Sequence, residues 1–148
     1  MYPLVRTVRD RKAQCQSLRS GYDPKLSVTM LSAILNVTFD CLNPHVVSMF
    51  WCAVTGYSLE EVKAPGNNYW VASAPDDRWP RLVFVSVPES KVVKNRVHLD
   101  LMPVERDQEA ELNRLLGFGA TIVDDRRTLR PGGWVVLADP EGNEFCLE

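Results

Sequence analysis

The chain has 148 residues, of which 45% are apolar and 24% charged, with a net charge of -2; this is the bulk and balance of one globular domain, neither fibrous nor disordered. The charge is uneven, since residues 1–25 carry six Lys/Arg against two Asp while the remainder carries eleven basic against seventeen acidic residues. An acidic body argues against a nucleic-acid groove, and nothing approaches the roughly eighteen apolar residues of a membrane span.

Residues 1–30 are basic and lack a sustained period. Arg6, Arg9, Arg11 and Lys12 fit either a tail for an anionic partner or a solvated flexible extension, and the second reading is preferred. Met30 stands just before the first organised element and is an alternative start. The apolar run from Leu26 to Leu35 is broken by Ser27, Thr29 and Ser32 and lacks a small-x-small cleavage site, which argues against secretion. Cys15, Cys41, Cys52 and Cys146 are scattered without CxxC spacing. They indicate reduced thiols in a cytoplasmic protein rather than disulfides or a zinc cage.

From residue 31 the pattern tightens into a single domain, 31–148. Leu35, Val37, Phe39 and Cys41 alternate with Asn36, Thr38 and Asp40, the signature of a half-buried strand. Asn43-Pro44 predicts an N-cap and first helical residue. Val46, Val47, Phe50, Trp51 and Val54 follow at helical spacing until Gly56 ends the run. Strands are then predicted at 57–62, 68–72 and 82–87.

After Pro88 the order restarts. Val97, Leu99 and Leu101 alternate with His98, Asp100 and Met102, and Asp107 caps a helix with Leu112, Leu115 and Leu116 inward. Strands follow at 120–123 and 133–138. Asp139-Pro140-Glu141-Gly142 then turns the chain into a closing strand, where Glu144, Cys146 and Glu148 oppose Asn143, Phe145 and Leu147. The sequence thus reads βαβββ twice, with modules at about 34–88 and 95–148. One helix cannot cover both faces of a four-stranded sheet. The predicted fold is therefore α+β: a single curved eight-stranded sheet, helices on the outer face, with a concave polar cleft.

Alternation places Asn36, Thr38, Asp40, His98, Asp100, Glu144 and Cys146 on the cleft face. His98 and Asp100, two apart on one strand and roughly 7 Å along it, suit a proton-transferring imidazole and its orienting carboxylate. The competing reading is a pair that merely stabilises a polar cavity. Cys146 lies beside Glu144 and Glu148, which disfavours a thiolate and favours a thiol lining the pocket. Tyr69, Trp70 and Trp79 are candidates for the cleft mouth, where they would stack on a planar ligand.

The repeat, with FDCLNP before the first helix, NRVHLDL at the restart and VVLADPEGNEFCL at the end, resembles the vicinal oxygen chelate superfamily, and more narrowly its glyoxalase-like domains. That resemblance implies ligands of His or Gln on the first strand of each half and Glu on the last. It places Asn36 and His98 at the first-strand positions and Cys146 at the final carboxylate position, with only Ser86 as a polar side chain on the matching strand of the first half. No tightly held metal is therefore expected, although a divalent ion on His98 and Glu144, aided by Asp40 or Asp100, is the metal-binding alternative. Three functions follow: a small-molecule-processing domain using His98 as acid or base, with Asn36, Thr38, Asp40, Glu144, Cys146 and Trp70 contacting substrate; a non-catalytic protein binding an antibiotic-like or aromatic compound; or a metal-dependent lyase or dioxygenase. The resemblance also implies a homodimer.

Overall fold

The computed structural model describes residues 32–63, 69–78, 80–128 and 132–148; the basic extension, Trp79 and the Ala64–Asn68 turn lie outside them. Alternation in Asn36–Cys41 produces β1, whose residues 37, 39 and 41 turn inward, with Cys41 buried. Helix α1 covers Pro44–Thr55. The Asn43 side chain accepts a hydrogen bond from the Val46 N–H at 3.3 Å, and Gly56 closes the helix at φ 71°, a left-handed conformation that suits glycine. Strands β2 (Ser58–Val62), β3 (Tyr69–Ser73) and β4 (Arg81–Ser86) complete the first module. The second contains β5 (Asp100–Leu101), α2 (Gln108–Gly117), β6 (Thr121–Asp125), β7 (Val135–Ala138) and β8 (Glu144–Leu147). Asp107 caps α2 by accepting the Ala110 N–H at 2.8 Å.

The eight strands form two four-stranded sheets rather than one bonded sheet, in the orders β1-β4-β3-β2 and β5-β8-β7-β6, and neither closes. In each sheet the first strand runs parallel to the last. The predicted strand around residues 97–102 shrinks to Asp100–Leu101. Of the four residues of its partner β8, only Cys146 and Leu147 pair with it. Val97, expected inward, is consequently exposed.

The inner face of α1 is Val47, Ser48, Phe50 and Trp51, while Val46 points outward. Ser48 tolerates burial because its hydroxyl donates to the His45 carbonyl at 2.9 Å. Trp51 packs tilted against Phe39 at 5.0 Å between ring centres and edge-on against Phe145 of β8 at 5.3 Å, so one aromatic cluster spans both modules. Such pairs add about 0.5–1.5 kcal/mol each beyond the area they bury.

The closing turn fastens the modules together. Buried Asp139 accepts the Glu141 and Asn143 N–H groups through Oδ1, each at 2.9 Å, and the Trp51 Nε1–H through Oδ2 at 3.1 Å. Gly142, at φ 86°, lets the chain reverse within this carboxylate's reach. Glu141 extends to the start of α1 and accepts the Leu42 N–H at 2.8 Å and the Asn43 N–H at 2.6 Å. A carboxylate there satisfies donors that the helix leaves unpaired and complements its dipole. At the opposite end, Arg114 of α2 donates to the Ala53 carbonyl at 2.7 Å.

Candidate functional site

A cleft of about 530 Å³ opens along the free edge of β1, bounded by Thr38 and Asp40 on one side and by residues 89–91 and 93–99 with Asn143 and Glu144 on the other. A second hollow of about 300 Å³ adjoins it over the concave face of the second sheet, walled by Asp100, Val136, Cys146, Arg126 and Trp134. His98 lines both. Its Nδ1 lies 3.1 Å from Asp100 Oδ1 and 3.7 Å from Cys146 Sγ. The short parallel ladder creates this convergence, because Asp100 and Cys146 are register partners and therefore share a face.

Burial pushes the Cys146 thiol up to about 11, with the neighbouring Asp100 and Glu148 adding to the effect against Lys94. At neutral pH it is a thiol rather than a thiolate, and so no ready nucleophile. Glu144 is committed elsewhere: its Oε2 accepts the Asn95 N–H at 2.7 Å and lies 3.2 Å from Lys91 Nζ. Burial raises this carboxyl, but those two partners outweigh it and hold the group below its usual range.

The other candidate residues divide. Thr38 and Asp40 reach the cleft, whereas Asn36 accepts from Arg81 Nε at 3.2 Å at the start of β1, outside both hollows. Trp70, expected at the cleft mouth, belongs instead to the helix-covered face. Its register partner is Phe84, and its ring packs 4.6 Å from that of His45 on α1. The strand alternation of β3 puts Trp70 and Ala72 together against the core, while Tyr69, opposite Val85, turns to the other face and Trp79 lies outside the described residues. Ser86 likewise alternates onto the Phe84 side. The candidate metal pair of His98 with Glu144 is replaced by His98, Asp100 and Cys146, whose donor atoms lie within 4.8 Å of one another. Sequence reasoning did not show that Lys91 and Asn95 engage Glu144, because no local pattern marks a loop contact about fifty residues away in the chain.

A family model described as a glyoxalase-like domain matches residues 36–148. The chain belongs to the glyoxalase-like domain family. Its fold is that of the glyoxalase/bleomycin resistance/dioxygenase, or vicinal oxygen chelate, superfamily. This glyoxalase-like domain is similar to the fosfomycin resistance protein FosX of Mesorhizobium loti, at 15% identity and a TM-score of 0.59 over 80% of this chain and 92% of that one. A Listeria monocytogenes FosX structure, in complex with Mn(II) and dihydroxypropylphosphonic acid, gives 13% identity and a TM-score of 0.61 over 80% and 93%. A glyoxalase/bleomycin resistance protein/dioxygenase family enzyme of Burkholderia phytofirmans PsJN gives 18% and 0.57 over 78% and 97%. No curated protein matches the domain. Among the described residues no helix is long and apolar enough to cross a membrane.

Proposed function

We propose that this glyoxalase-like domain processes a small molecule held in the cleft, with His98 exchanging a proton with it and Asp100 orienting the imidazole. The observation that carries this reading is the 3.1 Å contact between His98 Nδ1 and Asp100 Oδ1 at the junction of the two hollows. With Nδ1–H donated to the carboxylate, Nε2 is the nitrogen left to take or give a proton, and the negative partner stabilises the imidazolium that forms. Asp40 and Thr38, across the cleft, supply polar contacts for recognition. Deuterium exchange from D2O into a panel of small carbonyl compounds reads proton abstraction without presupposing a product. Catalysed exchange that is lost in His98→Ala supports the role, and exchange unchanged in that variant removes it.

The three converging donors favour a second reading, a divalent ion on His98, Asp100 and Cys146. Neighbouring donors in a tetrahedral site with bonds of about 2.0–2.3 Å lie roughly 3.3–3.5 Å apart. The 3.1 Å and 3.7 Å separations here are close to that geometry. An imidazole, a carboxylate and a thiol fit an ion of borderline softness, with a fourth position left for a ligand. Such an ion would polarise an oxygen of the bound molecule as a Lewis acid. The two readings compete for one atom, because Nδ1 cannot donate to Asp100 and bind a cation at once. Elemental analysis of the purified protein separates them: less than about a tenth of an equivalent of Zn, Fe, Ni or Mn excludes a tight site.

A further inference from the structure

Between the modules, residues 88–99 contain no helix or strand, yet Lys91, Lys94, Asn95 and Arg96 wall the larger cleft on its outer side. Val92 and Val93 near its middle are 88% and 73% exposed, so apolar packing does little to hold the segment in place. Two polar contacts do hold it, and both end on the same oxygen of Glu144: the Asn95 N–H and the Lys91 ammonium. Among the described residues no other hydrogen bond or ion pair ties residues 88–97 to the rest of the domain. We propose that Glu144 is a latch that pins residues 88–97 as a strap over the cleft, and that its release is what opens the cleft to a ligand.

Several features suit Glu144 to this task. It is the first residue of β8, directly after the turn organised by Asp139, so the anchor is rigid and the strap is the part that moves. Its side chain is 11% exposed, which shields the ion pair and the charge-assisted hydrogen bond from solvent. The strap runs straight into His98, whose ring is held by Asp100 and Cys146. The gating role rests on the cleft being the ligand site, while the latch contacts stand without it.

Trypsin cuts after lysine and arginine, and Lys91, Lys94 and Arg96 place three of its sites in the strap. Limited digestion followed by mass spectrometry is expected to show these bonds cut about tenfold faster in Glu144→Ala than in wild type, with the melting midpoint unchanged. Glu144→Gln, which keeps an acceptor for Asn95 but loses the charge, falls between them. Lys91→Met, a change outside any strand, also speeds cutting after Lys94 and Arg96. Wild-type rates at those bonds in Glu144→Ala or in Lys91→Met overturn the latch. So does faster cutting that merely tracks a lowered melting midpoint and rises equally after Arg106 and Arg114. The digestion pattern does not depend on His98, so failure of the acid/base role leaves it unchanged and the two proposals fail separately.

Discussion

The two modules repeat one order of elements on very different concave faces. In the first, Thr38 and Asp40 border a strip of Val71, Val83 and Val85, and β1 pairs with β4 along all six of its residues. In the second, Asp100, Cys146 and Val136 occupy the matching strip, and β5 pairs over only two residues. The long ladder yields a stiff wall. The short one leaves the chain before Asp100 free to bring His98 over the sheet and to cross the cleft as a strap. A repeated scaffold thus need not repeat its site, because the period of two decides only which side a residue faces, while the residue itself decides what that side can do.

Severing the aromatic bridge is the largest test of how the halves depend on each other. Trp51→Ala is expected to lower stability by about 3–5 kcal/mol in urea unfolding, since it leaves a cavity between Phe39 and Phe145 and deprives Asp139 of a donor. Both modules should unfold in one transition. Two separate transitions would show that they are independent domains.

A change to the chemistry sharpens the contrast further. His98→Ala should reduce deuterium exchange about 10²–10⁴-fold, the usual contribution of a positioned acid or base, whereas Asp40→Asn across the cleft should cost less than about tenfold. Equal losses would place the chemistry in both modules. At the fastening turn, Asp139→Ala should cost about 2–4 kcal/mol by thermal denaturation, since a buried carboxylate with several donors is removed. Glu141→Gln should cost only about 1 kcal/mol, because the amide still accepts one of the two N–H groups.

Alkaline pH has the smallest expected effect and reports on each module through its own thiol. Burial first, then Glu141, Asp139 and Asp40, push Cys41 from 9.0 up to about 12, and Cys146 rises to about 11. A folded-state value raised above the unfolded one stabilises fully below pH 9 and is lost as pH climbs toward the folded value. Stability should therefore fall between pH 9 and about 12 in wild type, the Cys146 share being lost by about 11. In Cys41→Ala and Cys146→Ala the fall should be shallower, as read from urea midpoints at each pH. A slope unchanged in both variants would mean that neither thiol is held in its neutral form.

The repeat, both helix caps and the closing turn were legible because each rests on neighbours in sequence. Asn43-Pro44, Gly56 and Asp107 act within one turn of helix, and the alternation in Asn36–Cys41 needs no partner to be seen. Trp70 was misplaced because a strand between two breaks shows its period but not which side meets a helix. Its pairing with Phe84 settles that. The turn at Asp139–Gly142 was read correctly as a turn, while its second role, holding Trp51 and the start of α1, depends on residues nearly a hundred positions away.

By itself, then, the sequence determined the two βαβββ modules, the helix ends and the face that Asp100 and Cys146 share, since these follow from local sterics, capping and the period of the strands. Tertiary structure alone decided that the strands form two sheets rather than one, that Glu144 is taken by Lys91 and Asn95, and that the imidazole, carboxylate and thiol converge. Those outcomes depend on distances between segments far apart in the chain, which local pattern does not encode.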